Sequence, residues 1–229
     1  MHPGVTPPAL RIVYAIGIVV AVCFAVVHLG WLVAGASIDR LPATLVGTLA
    51  GMLVADWFTG VVHWACDTWG DTETPIFGPG LIRNFREHHR RPQAMLEHDW
   101  VDVNGEAASA AAVLFLLFST FGAAWLAAIP AAHAALLAFL VFGALANQIH
   151  QWAHMREAPR VVRALQQSGL LLSRERHVGH HRAPHLTGYA ISTGWTNRAL
   201  DAIGYWRGLE VAIAKLTGAV PRRAERRAG

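Results

Sequence analysis

Residues 131–154, AAHAALLAFLVFGALANQIHQWAH, decide the fold. The run is apolar for the depth of a membrane and then turns polar, closing on His150 and His154. About 20 apolar residues cross a bilayer as a helix, so this run reads as a transmembrane segment with two imidazoles at its end. Residues 12–36, 42–64 and 107–129 have the same character. The second of these carries Asp56 inside and His63 at its end. The third stops at Pro130, which leaves so short a turn that the last two spans should pair antiparallel. The expected fold is all-α: an integral membrane four-helix bundle, with cytoplasmic amphipathic helices carrying a histidine-rich di-metal site.

Composition agrees. Of 229 residues 54% are apolar and 15% charged, against about 25% charged in ordinary soluble domains. The net charge is +4 with histidine neutral. The basic residues flank apolar runs and do not line one exposed face, which argues against a nucleic-acid partner. Residues 65–106 hold Arg83, Arg86, Arg90 and Arg91; the C-terminal region holds Arg156, Arg160, Arg163, Arg174, Arg176 and a closing RRAERR. The positive-inside rule then puts both termini and every histidine cluster in the cytoplasm. The Pro-rich start, HPGVTPPALR, lacks a cleavable signal's features, so the first span is read as a retained helix. Val161, Val162, Leu165, Leu170 and Leu171 alternate with Arg160, Arg163 and Gln166, as in a helix lying on a membrane face. A second such stretch covers residues 200–216, with Tyr205 and Trp206 suited to the interface. The expected division is a flank and first span (1–41), the functional domain (42–216) and a basic tail (217–229). Cys23 and Cys66 form neither a disulfide framework nor a CxxC site.

Ten of thirteen histidines fall into three clusters: His63 with His88, His89 and His98; His150 with His154; and His177, His180, His181 with His185. Residues three or four apart on a helix share a face, so HxxxH and HxxHH can each turn rings toward a metal. All ten are candidate ligands, His98 and His185 alternatively supporting other rings. Eight or more nitrogen donors are what two irons need, whereas zinc needs three or four. Nearby carboxylates Asp67, Glu87, Asp99, Asp102 and Glu106 could orient rings by accepting their second N–H. Asp67, four after His63, could itself bind metal, and Asn147, three before His150, could be a ligand or hydrogen-bond partner. Asp56 is costly inside a span unless it faces the protein, so it too is a site candidate. His2, His28 and His133 look isolated and structural.

These motifs resemble the plasmanylethanolamine desaturase family (Kua or CarF-like lipid desaturases). The resemblance is carried in order by DWFTGVVHWACDTWG, PIFG, IRNFREHHRRP, EHDWVDVNGE, NQIHQWAH, HVGHHRAPH and YAISTGWTNRALD, over residues 55–210. It implies a small helical membrane enzyme with a di-iron centre, its boxes matching His150 and His154; His177, His180 and His181; Glu87, His88 and His89; and His63. It implies oxidation of a phospholipid's alkyl ether chain to a vinyl ether, using O2 and two electrons. A plant branch instead places a trans double bond in an acyl chain of phosphatidylglycerol. Asp67, Glu87 and Asn147 are the expected catalytic residues, and Arg83, Arg86, Arg90 and Arg91 the expected headgroup contacts. Where the family often has an acidic residue, this chain has Arg91 before the proline, which puts headgroup preference in question. No flavin or nucleotide motif is present, so a cytochrome b5-, ferredoxin- or flavoprotein-type partner should supply electrons. A bacterial inner membrane is the expected location. An acyl desaturase or a hydroxylase would use the same site. A transporter would spread ionisable groups near the bilayer midplane, and here they gather at span ends.

Overall fold

The computed structural model describes residues 6–222; His2 and most of the basic tail lie outside the described residues. Among the described residues the secondary structure is all helix. The helices are α1 (Pro8–Ala34), α2 (Leu41–Thr68), α3 (Arg83–Arg90), α4 (Trp100–Phe121), α5 (Ala123–Ala128), α6 (Pro130–Ala144), α7 (Ala146–His154), α8 (Arg160–Gln167), α9 (Arg174–His177), α10 (Asn197–Ala202) and α11 (Tyr205–Thr217). A π-helical turn, Gly78–Ile82, leads into α3, and a 3₁₀ turn, Pro92–Glu97, follows it. Three helices (α1, α2 and α4) are long and apolar enough to cross a membrane. The pair α6 and α7, bent by 47°, makes a fourth if counted as one span.

The span positions follow the sequence closely, but their ends differ. The third span starts earlier than residue 107, because Asp99 caps α4 by accepting from the backbone N–H groups of Val101 and Asp102. It also ends earlier, at Gly122, and the short α5 fills the gap before Pro130 opens α6. The fourth is broken at Leu145, just before the amides of Asn147 and Gln148. The second runs on to Thr68, so that His63 and Asp67 share one helix.

The chain forms two compact units. The first comprises Met1–Ala55 and His98–Gln148; the second comprises Asp56–Glu97 and Ile149–Gly229. In the first, α1 and α4 run parallel. Arg11 grips Asp99 (2.7 Å) and Asp102 (2.6 Å) at one end, Gly17 packs on Ser109, and His28 meets Ser119 further along. Ile18, Ala21, Ala108 and Ala112 form the shared core. The helix α6 runs antiparallel to α4, as expected: Asn104 donates to Gln148 (3.0 Å), just beyond the C-terminal end of α6, and His28 bridges Ser119 and His133 towards its N-terminal end. Gly47 and Gly51 allow α2 to lie directly on α6, since a Cβ at either would collide with the carbonyl of Ala131 or Ala135. Small residues spaced by four are how apolar helices reach close packing in lipid.

His28 and His133 are not isolated. Their rings meet at 2.8 Å, and His28 Nε2 lies 2.9 Å from Ser119 Oγ. Ser119 donates its hydroxyl to the Phe115 carbonyl (2.7 Å), so it accepts from His28 Nε2–H. His28 Nδ1 is then the acceptor and His133 the donor. Each imidazole thus answers the other's polarity inside an apolar layer where neither would find water.

Gly51→Val should lower the stability of the purified protein by about 3 kcal/mol or abolish a monodisperse preparation. Thermal unfolding followed by circular dichroism in detergent measures this, and wild-type behaviour would refute the close approach.

Candidate metal centre

Every ring of the three sequence clusters that converges lies in the second unit. His63 and Asp67 sit one turn apart at the end of α2. His88 and His89 close α3, and His150 and His154 stand one turn apart on α7. Ser173 caps the short α9 by accepting from the Arg176 N–H, and the turn after it delivers His177, His180 and His181. Their donor atoms gather into two groups. One is His88, His150, His154, His177 and His181; the other is His63, Asp67, His89 and His180. Within each group all donor atoms lie within 4.8 Å of one another.

Helical direction explains the partition. His88 and His89 are adjacent, so their side chains leave α3 about 100° apart and enter different groups. His177 and His181, four apart, turn the same way, their Nε2 atoms 2.9 Å apart. His180 points to the second group, 3.1 Å from His63 and 3.3 Å from His89. His150 lies 2.8 Å from His177 and 3.3 Å from His154.

The second group identifies what these rings want. His63 Nδ1–H donates to the Tyr189 carbonyl (3.1 Å) and His180 Nδ1–H to the Thr187 carbonyl (2.7 Å). A carbonyl only accepts, so in each neutral ring the Nε2 facing inward is a bare lone pair. Burial, reinforced by neighbouring rings, pushes His180 down to about 3, which keeps it neutral at physiological pH. Two lone pairs 3.1 Å apart repel unless a cation lies between them. The carboxylate of Asp67, 3.0 Å from His89 and 3.6 Å from His63, completes the group. The residues present therefore fit a metal ion.

The remaining candidates divide. His185 joins neither group; its Nδ1 donates to the His180 carbonyl (2.9 Å) and touches His89 Nδ1 at 3.3 Å. His98 and Asn147 belong to the first unit and also join neither group, and Glu87 is exposed on α3. Arg86 is engaged with the carbonyls of Cys66, Trp69 and Gly70 at the end of α2, while Arg90 and Arg91 are exposed and Arg91 faces Glu97 (3.7 Å).

Asp56 has a different duty from the one expected. Fully buried, it accepts from Ser192 Oγ, the N–H groups of Thr193, Gly194 and Thr196, and Thr196 Oγ1, all at 2.7–3.0 Å. It fastens the segment after the third cluster to α2. Trp64, Tyr189 and Trp206 pack beside this fastening, and Gly60 admits the Ala190 backbone. The backbone carbonyls of Thr187 and Tyr189, which the sequence alone does not single out, are thus held at the right height for His180 and His63.

A membrane-type helical chain that turns buried histidines into two metal-sized groups defines a class, the histidine-box membrane proteins. Within it, the chain belongs to the lipid desaturase family: the lipid desaturase domain matches residues 52–224. It is 39% identical over 210 residues to plasmanylethanolamine desaturase 1 of Mus musculus, covering 89% of this chain and 78% of that protein. It is 37% identical to plasmanylethanolamine desaturase of Myxococcus xanthus, covering 78% of this chain and 63% of that one. Fatty acid desaturase 4, chloroplastic, of Arabidopsis thaliana is 34% identical over 181 residues, 76% of this chain and 52% of its own length. No solved structure matches significantly. The protein is a desaturase, an oxidoreductase of lipid metabolism.

Asp56→Ala leaves buried donors without an acceptor and should cost about 3 kcal/mol of stability together with metal content; unfolding midpoints and metal analysis check it. His181, like His180, is pushed by burial to about 3, against an ordinary 6.5. Between those values the unfolded chain binds protons that the folded rings refuse. The metal-free protein should therefore lose stability as pH falls from about 6.5 toward 3; a midpoint that rises on acidification would contradict this.

Proposed function

We propose that this chain is a di-iron lipid desaturase that converts the alkyl ether chain of a plasmanylethanolamine-type phospholipid to a vinyl ether. The observation that carries the reading is the convergence of eight imidazoles and one carboxylate into two groups. His88, His150, His154, His177 and His181 would hold one iron; His63, Asp67, His89 and His180 would hold the other. Bound iron would supply the activation of O2 needed to remove two hydrogens from an unreactive chain.

The chain's own residues set the conditions. Carbonyl acceptors on Thr187 and Tyr189 fix the tautomers of His180 and His63, so the rings offer lone pairs inward. Arg83, Arg90 and Arg91 are the arginines we assign to the phosphate of the headgroup, since Arg86 already serves α2. Exposed Val161 and Leu165 on α8 and Leu216 on α11 suit helices resting on the membrane surface. The arginine distribution supports both termini and the site facing the cytoplasm, where a separate electron-transfer protein would deliver two electrons. Two relatives named for plasmanylethanolamine share more identity with this chain than the chloroplastic fatty acid desaturase does, which favours the ether over the acyl substrate.

The test is lipid analysis after expression in a bacterium lacking plasmalogens, fed an alkylglycerol and supplied with an electron donor. An acid-labile ether lipid two hydrogens lighter is expected. It should vanish in His150→Ala and His180→Ala while both variants still insert into the membrane. A new double bond in an acyl chain, with the alkyl lipid untouched, would replace this reading with the acyl desaturase.

A further inference from the structure

Resting on the reading of the two groups as metal positions, we infer that these positions are unequal: the Asp67 position binds metal tightly and the five-histidine position binds it weakly. The contrast lies in what stands behind the ligands. In the Asp67 group, the outer nitrogens of His63 and His180 donate to the Tyr189 and Thr187 carbonyls, and the outer nitrogen of His89 rests against His185. The two carbonyl acceptors fix ring orientation and raise ligand basicity, whereas His185 Nδ1, already donating to the His180 carbonyl, accepts nothing from His89 and only packs against it. In the other group, His88, His177 and His181 each bury Nδ1 with no hydrogen-bond partner among the described residues. A ring bound to metal through Nε2 carries its proton on Nδ1, and here that proton finds no acceptor.

Charge points the same way. Asp67 is the one carboxylate in either group, so a divalent ion there is half neutralised. The other group offers only neutral imidazoles, and a buried dication among them keeps its full charge, which a low-dielectric interior penalises. A fifth imidazole adds a donor but no charge. His185 is a positioning residue: it touches His89 and the His180 backbone, not the donor set.

Cobalt(II) titration of the metal-free protein in detergent, with a competing chelator and metal analysis after desalting, tests this. Wild type should take up two equivalents in separate steps, the first about tenfold or more tighter than the second. His154→Ala should lose the weak equivalent and keep the tight one. Asp67→Asn should weaken the tight step about tenfold or more, and His185→Gln should weaken it while two equivalents are still taken up; His185→Asn substitutes if the glutamine variant is not monodisperse. A single step with two equal affinities, or loss of the tight equivalent in His154→Ala, overturns the inequality but leaves two metal positions standing. No cobalt uptake by well-folded wild type overturns the metal reading itself.

Discussion

Lone pairs that point at one another from inside a protein are the constraint on which this structure depends. Two neutral imidazole nitrogens at about 3 Å repel when a carbonyl behind each ring has already taken its N–H, as it has for His63 and His180. The chain accepts that repulsion where His63 meets His180 and organises its second unit around holding it. Such an arrangement persists only where a cation compensates it or where the surrounding packing is rigid enough to resist. The surroundings here are rigid: a fully buried aspartate with five hydrogen bonds, an aromatic cluster and an arginine locked to the end of α2.

Asp56 shows how a membrane chain turns an expensive residue to use. A carboxylate inside an apolar helix is tolerated when the protein supplies its solvation. Here backbone and hydroxyl groups of residues 192–196 do so, and in return that segment is fixed to α2. Through it the Tyr189 carbonyl reaches His63, so a group outside either donor set governs the direction of a ring within one. The first unit solves its own polarity with the same economy, pairing His28 with His133 and Arg11 with Asp99 and Asp102.

The sequence discloses what depends on composition and spacing. The spans are legible because membrane length is a property of consecutive residues, and HxxxH and HxxHH because helix faces repeat every three to four. The Gly122 break and the turn at Leu145 were not legible: no proline marks either interruption. The pairing of His28 with His133 joins residues 105 apart and needs the topology before it can be seen. The same limit hid the sorting of ligands. Nothing in the letters His88-His89 says that neighbours serve different groups; that follows from the direction of α3. Asp56 stands out in the sequence for its cost inside a span, but its partners lie some 140 residues away and its role depends on them.

The spread of the ligands along the chain has a consequence for biogenesis. Each group draws on both early and late segments; His88 and His181, for example, are 93 residues apart yet meet at 3.1 Å. While the ribosome is still making residues before His177, the nascent chain offers only fragments of either group: two of the four donors that lie beyond residue 100 in the larger one, and none of those in the smaller. Neither position can close until the region after the last span has emerged. The complete donor sets therefore exist only late in synthesis: a chain arrested before His177 carries three of the five donors of the larger group and three of the four of the smaller.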